Sequence, residues 1–109
     1  GRIKTLTLLG KSDIGNVNGS ISVTAPKTGT YLALERFGAI SSYFSDAHAL
    51  TVESGTLLFS DRMQSLLNSS NCYCQIYLIS AKAGELITLK NTNWNVDPNV
   101  LSVRIYSFN

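Results

Sequence analysis

The sequence predicts an all-β protein, an antiparallel sandwich or barrel of about 8 to 10 short strands. Apolar and polar residues alternate in several short segments, and clusters of Gly, Asn, Ser and Asp separate these segments at intervals of about 8 to 12 residues. No long helical pattern lies between them. Since the composition does not change along the 109 residues, we expect one sandwich domain over residues 1–109.

The N-terminal part of the chain carries two strand signals with a turn between them. The segment IKTLTLL, residues 3–9, alternates two sets of side chains as a strand does. GKSDIGNVNG follows it, and its three Gly, two Asn and one Asp are typical of a turn. GSISVTA, residues 19–25, then places Ile21 and Val23 on one face. We therefore predict a strand on each side of a loop.

The same alternation continues through the rest of the chain. TYLALERF places Tyr31, Ala33, Glu35 and Phe37 on one side of a third strand. Further strands are predicted in AISSYF, HALTVE, TLLFS, CYCQIYLIS, ELITLK and VLSVRIYSF. A helical turn capped by Ser60 is the alternative for SDRMQSLLNSS, but this segment is too short to favour a helix.

Charge and hydropathy argue against several classes of partner. The net charge is +2, and the nine Lys and Arg residues occur singly from Arg2 to Arg104 without a basic run, so we expect no nucleic-acid partner. No apolar stretch approaches the roughly 18 residues needed to span a bilayer, and no signal-peptide pattern is visible. We expect no membrane insertion.

Neither a disulfide between the two cysteines nor a metal site is predicted. Cys72 and Cys74 stand two positions apart on a predicted strand, about 6 to 7 Å from each other on one face, which is poor geometry for a mutual bridge. We interpret them as free, buried thiols. A metal site would need further Cys or His at ligand spacing, and His48 is the only histidine in the sequence. No metal and no other cofactor is expected.

Three segments in order resemble the superfamily of tumour necrosis factor and the complement globular heads. VTAPKTGTYLA, residues 23–33, resembles the Thr, Pro, Gly and Tyr signature with which that superfamily begins its second major hairpin. Residues 72–91 resemble its long strand, Lys and Gly turn with an acidic residue, and following strand. LSVRIYSF stands where the last strand of those domains lies. The resemblance covers about residues 20–109.

The resemblance implies a jelly-roll sandwich that assembles as a homotrimer and buries one face of each copy around a three-fold axis. The compact loops and small charge are most similar to the phage members of this fold, the head domains of tail fibres and of collagen-like phage proteins. The implied location is the tip of a virion tail fibre or another extracellular surface. Because the sequence begins at Gly1 without Met, we interpret it as a fragment, with residues 1–19 leading in from a fibre or stalk.

Several strands carry apolar residues on both pleat faces, and two interpretations remain open. The segments with apolar residues on both faces are LTLL, TLLF, QIYLI and VLSVRIYSF. One interpretation is that oligomerisation buries the second face, because a small domain gains stability from a subunit interface. The other is that these strands occupy the middle of a well-filled core.

The sequence offers no convincing catalytic constellation. Asp46 and His48 would share a face of a strand and serines are plentiful, but the Gly-any-Ser-any-Gly elbow of a nucleophile is missing. Nothing in the spacing of the carboxylates selects a glycosidase pair. GNVNG lacks the Lys and the strand and helix context of a phosphate loop. We expect a protein that is not an enzyme.

Two loops are candidates for ligand binding. In NTNWNVDPN, Trp94 is suited to stack on a sugar face while Asn93, Asn95 and Asp97 bond its hydroxyls. The alternative is that Trp94 caps the core and the asparagines make turns. In SSYFSDAH, a rim patch is predicted from Tyr43, Asp46 and His48, against the alternative of an ordinary strand end.

These predictions combine into a trimeric fibre head. It recognises a host-surface receptor, with carbohydrate the favoured class, or registers three chains for folding, or does both. A purely structural trimerisation cap and a monomeric carbohydrate-binding module of a larger protein are the alternatives.

Overall fold

A computed structural model describes residues 5–12, 19–39, 50–65, 72–91 and 96–108, and every regular element in these ranges is a β-strand. The eight strands are β1 (Leu6–Ser12), β2 (Ser20–Thr24), β3 (Gly29–Ala39), β4 (Thr51–Ser54), β5 (Thr56–Ser65), β6 (Cys72–Ala81), β7 (Leu86–Lys90) and β8 (Val96–Phe108). The predicted all-β class is confirmed.

The strands form two antiparallel sheets that share one core. The larger sheet has five strands in the order β1-β8-β3-β6-β5, and the smaller has three in the order β2-β7-β4. The core cluster takes side chains from both sheets, including Tyr31, Ile79 and Ile105 from the larger and Ile87 and Leu89 from the smaller. This arrangement is that of a β-sandwich.

The predicted alternation decides which side chains enter the core. Tyr31, Ala33 and Glu35 on β3 are buried, and Leu32 and Leu34 between them point the other way and stay partly exposed. This happens because successive side chains of a strand point to opposite faces. The sequence pattern predicted which of these side chains share a face, and the structure shows that the face of Tyr31 is the inner one.

The segment around Pro26 carries the chain from the smaller sheet to the larger. The ring of Tyr31 is buried, and its hydroxyl accepts a hydrogen bond from the Lys27 backbone N–H at 3.2 Å and donates one to the Lys27 carbonyl. Tyr31 therefore closes the turn over residues 26–28. The strands on either side of this turn belong to different sheets, because β2 pairs with β7 whereas β3 pairs with β6 and β8.

The second turn suggested by the resemblance is present and crosses between the sheets in the reverse direction. It lies between β6 and β7, where the Glu85 backbone N–H bonds the Lys82 carbonyl at 2.9 Å and the Lys82 backbone N–H bonds Glu85 Oε1 at 3.0 Å. Gly84 takes a φ of 84° in this turn. Ala25 ties both crossings together, since its N–H bonds the Glu85 carbonyl and its carbonyl accepts the Gly84 N–H.

β1 extends three residues into the segment predicted to be a turn. Gly10, Lys11 and Ser12 pair with β8 after a register shift between Leu8 and Gly10. A Cβ placed on Gly10 would stand 2.7 Å from Val23 Cγ1, so glycine allows β1 to approach β2 here. Glycine in this segment thus serves close packing as well as turning.

Five of the remaining predicted strands are confirmed, and one lies mostly outside the described residues. HALTVE, TLLFS, CYCQIYLIS, ELITLK and VLSVRIYSF contribute to β4, β5, β6, β7 and β8 respectively. The segment after Ser60 continues β5 to Ser65 as a strand, in agreement with the rejection of a helix. Most of AISSYF lies outside the described residues.

Candidate functional site

The ligand-binding residues predicted from the sequence cannot be placed. Six of them lie outside the described residues: Tyr43, Asp46, His48, Asn93, Trp94 and Asn95. Asp97 was predicted to lie in a loop, but its backbone belongs to β8 and pairs with Gly38, so that prediction is wrong. The side chain of Asp97 is outside the described part. The predicted binding side chains therefore all lie outside the described part of the chain.

The described residues contain a different candidate, the outer face of the five-stranded sheet. Its side chains alternate with the buried ones and point away from the smaller sheet. We define the outer face by Leu6, Leu8, Lys11, Thr30, Leu32, Leu34, Arg36, Thr56, Phe59, Asp61, Met63, Cys74, Ile76, Leu78, Ser80, Ser102, Arg104, Tyr106 and Phe108. Most of these side chains are apolar, so this face does not have the polar character of a sheet face in contact with water.

One line of directly paired residues crosses the whole outer face. Leu8 pairs with Tyr106, Tyr106 with Leu32, Leu32 with Leu78, and Leu78 with Phe59. We call these five residues the apolar row. With neighbouring strands about 4.8 Å apart, the row spans roughly 19 Å without a charged or small polar side chain.

The apolar surface is most exposed at the two edge strands. On β1, Leu6 is 47% and Leu8 46% exposed, and on β5, Phe59 is 53% and Met63 64% exposed. Leu58, at the register shift of β5, is also exposed. Large contiguous apolar patches on monomeric proteins are typical of interaction sites. Both edge strands of the larger sheet therefore carry exposed apolar side chains of the kind found at interaction sites.

A second line of paired residues beside the apolar row carries charge at its ends. It consists of Lys11, Arg104, Leu34, Ile76 and Asp61, one residue on each strand in sheet order. We call it the charged row. Lys11 and Arg104 also line a cleft of about 260 Å³ with Ser12 and Ser102, at the end of β1. The β1 edge is thus basic and the β5 edge acidic at this level.

The inner face of the same sheet holds a buried polar cluster. Tyr77 donates a hydrogen bond from its hydroxyl to Glu35 Oε1 and accepts one from the Leu50 backbone N–H at 2.8 Å. Gln75, directly opposite Glu35 on β6, accepts a hydrogen bond from Arg62 Nε at 3.1 Å. Glu35 Oε2 has no hydrogen-bond partner among the described residues. The carboxyl group is therefore only half satisfied.

Burial changes the acidity of both partners in this cluster. Desolvation raises the pKa of Glu35 from the ordinary 4.5 to about 7, although the Tyr77 hydrogen bond, the Leu50 N–H and the positive charge of Arg62 all lower it. The pKa of Tyr77 is raised strongly, first by burial and then by the negative charge and hydrogen bond of Glu35. Near neutral pH the Glu35 carboxyl is partly protonated, whereas Tyr77 keeps its proton.

The cluster is enclosed in the core, out of contact with solvent. Glu35 is 0% and Tyr77 1% exposed, so neither side chain reaches solvent in the structure. In the sequence, Glu35 shares the side of the predicted strand that carries Tyr31 and Ala33, and this alternation is the signal that it is buried. No feature of the sequence indicated Tyr77 as its partner.

Cys74 corrects the prediction of buried thiols. It is free, as expected, but it is exposed, because β6 places it on the outer face between Arg36 and Met63. The side chain of Cys72 is outside the described part. Among the described residues there is no cluster of three or more His, Cys, Asp or Glu suited to a metal ion.

Comparisons with known proteins assign no family. Neither a family model, nor a curated protein, nor a solved structure matches the chain. A search of the described residues for a helix long and apolar enough to cross a membrane finds none.

Proposed function

We propose that this chain is a non-enzymatic, homotrimeric head domain of a phage-type fibre, in which the outer faces of three copies pack around a three-fold axis. The apolar row carries this proposal. Its edge residues Leu8 and Phe59 are each about half exposed. Covering the exposed half of such a side chain contributes about 1 kcal/mol. A second and third copy supply that cover in a closed assembly.

The strand pairing supports a jelly-roll topology for the proposed head. A jelly roll is a long antiparallel hairpin wrapped into a sandwich, so its strands pair in nested order, first with last and inward. β1 pairs with β8, β2 with β7, and β3 with β6, in agreement with that order. The innermost pair departs from it, because β5 lies beside β6 in the larger sheet.

The distribution of polarity on β3 and β6 supports assembly over a monomeric module. The inner face of these strands already packs on the smaller sheet and carries Glu35 and Gln75 among core residues such as Ile79. The outer face holds Leu34, Ile76 and Leu78, which stay partly exposed. Since a sheet face in contact with water is ordinarily polar, these apolar side chains favour a partner that covers them. The proposed trimer places both faces out of contact with water.

Receptor recognition is the second part of the proposal. In a head of this kind, rigid strands hold loops that contact the ligand, and the Trp94 loop has the stacking and hydrogen-bonding groups that carbohydrates need. A structural cap without a ligand is the alternative, and a glycan array separates them. The receptor proposal expects glycan binding by the wild type that Trp94→Ala abolishes, whereas a cap binds no glycan.

Light scattering behind a sizing column, at two protein concentrations, tests the assembly. We expect three times the mass of one chain at both concentrations. Phe59→Lys places a charge in the apolar row and should give monomers that remain folded by circular dichroism. Leu86→Lys is the matched control, because Leu86 is 50% exposed but lies on β7 in the smaller sheet. A monomeric wild type, or equal effects of the two substitutions, contradicts the proposal.

A further inference from the structure

The two ends of the charged row are complementary but cannot reach each other within one chain. Arg104 on β8 and Asp61 on β5 are separated by β3 and β6. Three strand spacings amount to roughly 14 Å. This exceeds the Debye length of about 8 Å at physiological ionic strength, so the attraction within one chain is largely screened.

The two positive charges at the β1 end of the charged row repel each other within one chain. Lys11 and Arg104 are directly opposite each other on neighbouring antiparallel strands, and like charges in that position destabilise a sheet. The ion pair of Lys90 with Glu53 lies on the smaller sheet and not at this edge. A carboxylate brought to this edge from outside the chain would offset the repulsion.

A three-fold assembly brings opposite edges of neighbouring copies together. In a cyclic trimer each contact is heterologous, so one surface of a copy meets a different surface of the next. When the contact joins the β5 edge to the β1 and β8 edge, Phe59 and Leu8 bring the ends of the apolar row together. The charged row beside it then brings Asp61 to the basic pair.

We propose that Asp61 of each copy forms ion pairs with Arg104 and Lys11 of the next copy, and that these contacts set the register of the trimer. The inference rests on the trimer proposed above and names its partner surface. The apolar row supplies the area that is buried. The charged row selects the orientation, because reversed or shifted contacts place Lys11 and Arg104 against apolar or basic side chains.

A charge exchange tests this pairing. Arg104→Glu and Asp61→Lys, each alone, should raise the protein concentration at which half of the trimer dissociates by roughly tenfold or more. The double variant Arg104→Glu with Asp61→Lys should restore most of that loss, and contact within one chain cannot explain the rescue. Lys27→Asp, on the exposed turn before β3, is the control for a changed net charge and should have no effect.

The outcomes distinguish this inference from the trimer itself. A wild type that is monomeric overturns both. A trimeric wild type whose single variants dissociate normally, or whose double variant is not rescued, overturns the pairing and leaves the trimer standing. If a reversal prevents folding, the neutral variants Asp61→Asn and Arg104→Gln take its place. If the pairing is correct, trimer dissociation of each neutral variant depends less on salt concentration than that of the wild type. An unchanged salt dependence overturns the pairing.

Discussion

Glu35 makes the stability of the protein depend on pH in an unusual direction. Its pKa is about 7 in the folded chain and near 4.5 when exposed, so between these values the folded state holds a proton that the unfolded state has lost. Stability is therefore fully present below about pH 4.5 and falls as the pH rises towards 7. A carboxyl with a lowered pKa would give the opposite slope.

The substitution Glu35→Gln isolates this contribution. Glutamine keeps the shape and an acceptor for the Tyr77 hydroxyl but carries no charge at any pH. A carboxyl pKa raised to about 7 corresponds to a loss of roughly 3 kcal/mol for the wild type above pH 7. We expect the free energy of unfolding of Glu35→Gln to equal that of the wild type near pH 4.5 and to exceed it by about this amount at pH 8.

Urea unfolding of both proteins at one protein concentration, in half-unit steps from pH 4.5 to 8, measures the difference directly. Every other titrating group contributes equally to the two curves, so their difference belongs to Glu35. Glu53→Gln is the control, because Glu53 is exposed and forms only a surface ion pair with Lys90. A Glu35→Gln difference that does not change with pH would refute the reasoning.

Two further substitutions test the packing around this sheet. Tyr77→Phe removes the hydroxyl that bonds both Glu35 and the Leu50 N–H, and we expect the free energy of unfolding in urea at pH 7 to fall by about 2 kcal/mol. Little or no change would mean that those two groups find other partners. Gly10→Ala places a methyl group 2.7 Å from Val23 Cγ1, and we expect the free energy of unfolding to fall by about 1 to 3 kcal/mol. The double variant with Val23→Ala should recover part of this loss. An unchanged melting temperature of Gly10→Ala would show that β1 can move away from β2 without cost.

Local patterns predicted the strands and the side chains that share a face, because a two-residue period is a property of neighbouring residues. Ile21 on β2 and Tyr31 on β3 are buried as the alternation requires. Pairing between strands was not predicted, since a turn does not reveal whether the chain continues in the same sheet. The segment around Pro26 was recognised as a turn between two strands, and only the structure shows that it joins the two sheets.

The candidate site was predicted less well than the fold. Residue type led to Cys74 being assigned to the core, but only the pleat position decides its face, and that position is on the outer face. The excess of apolar residues was recognised, and two interpretations of it were left open. The exposure of Leu8 and Phe59 favours an uncovered face over a filled core, because both lie on edge strands that a core does not enclose.

The charged row explains why the outer face need not assemble indiscriminately. An exposed, apolar edge strand such as β5 is a general hazard for aggregation, and charged side chains on an edge are one way in which proteins limit it. Asp61 lies in the middle of β5, between Phe59 and Met63 on the same face. Burying it against an apolar surface is unfavourable, whereas burying it against Arg104 of another copy is compensated. In the proposed trimer, Asp61 would therefore oppose random pairing of β5 and favour one closed arrangement.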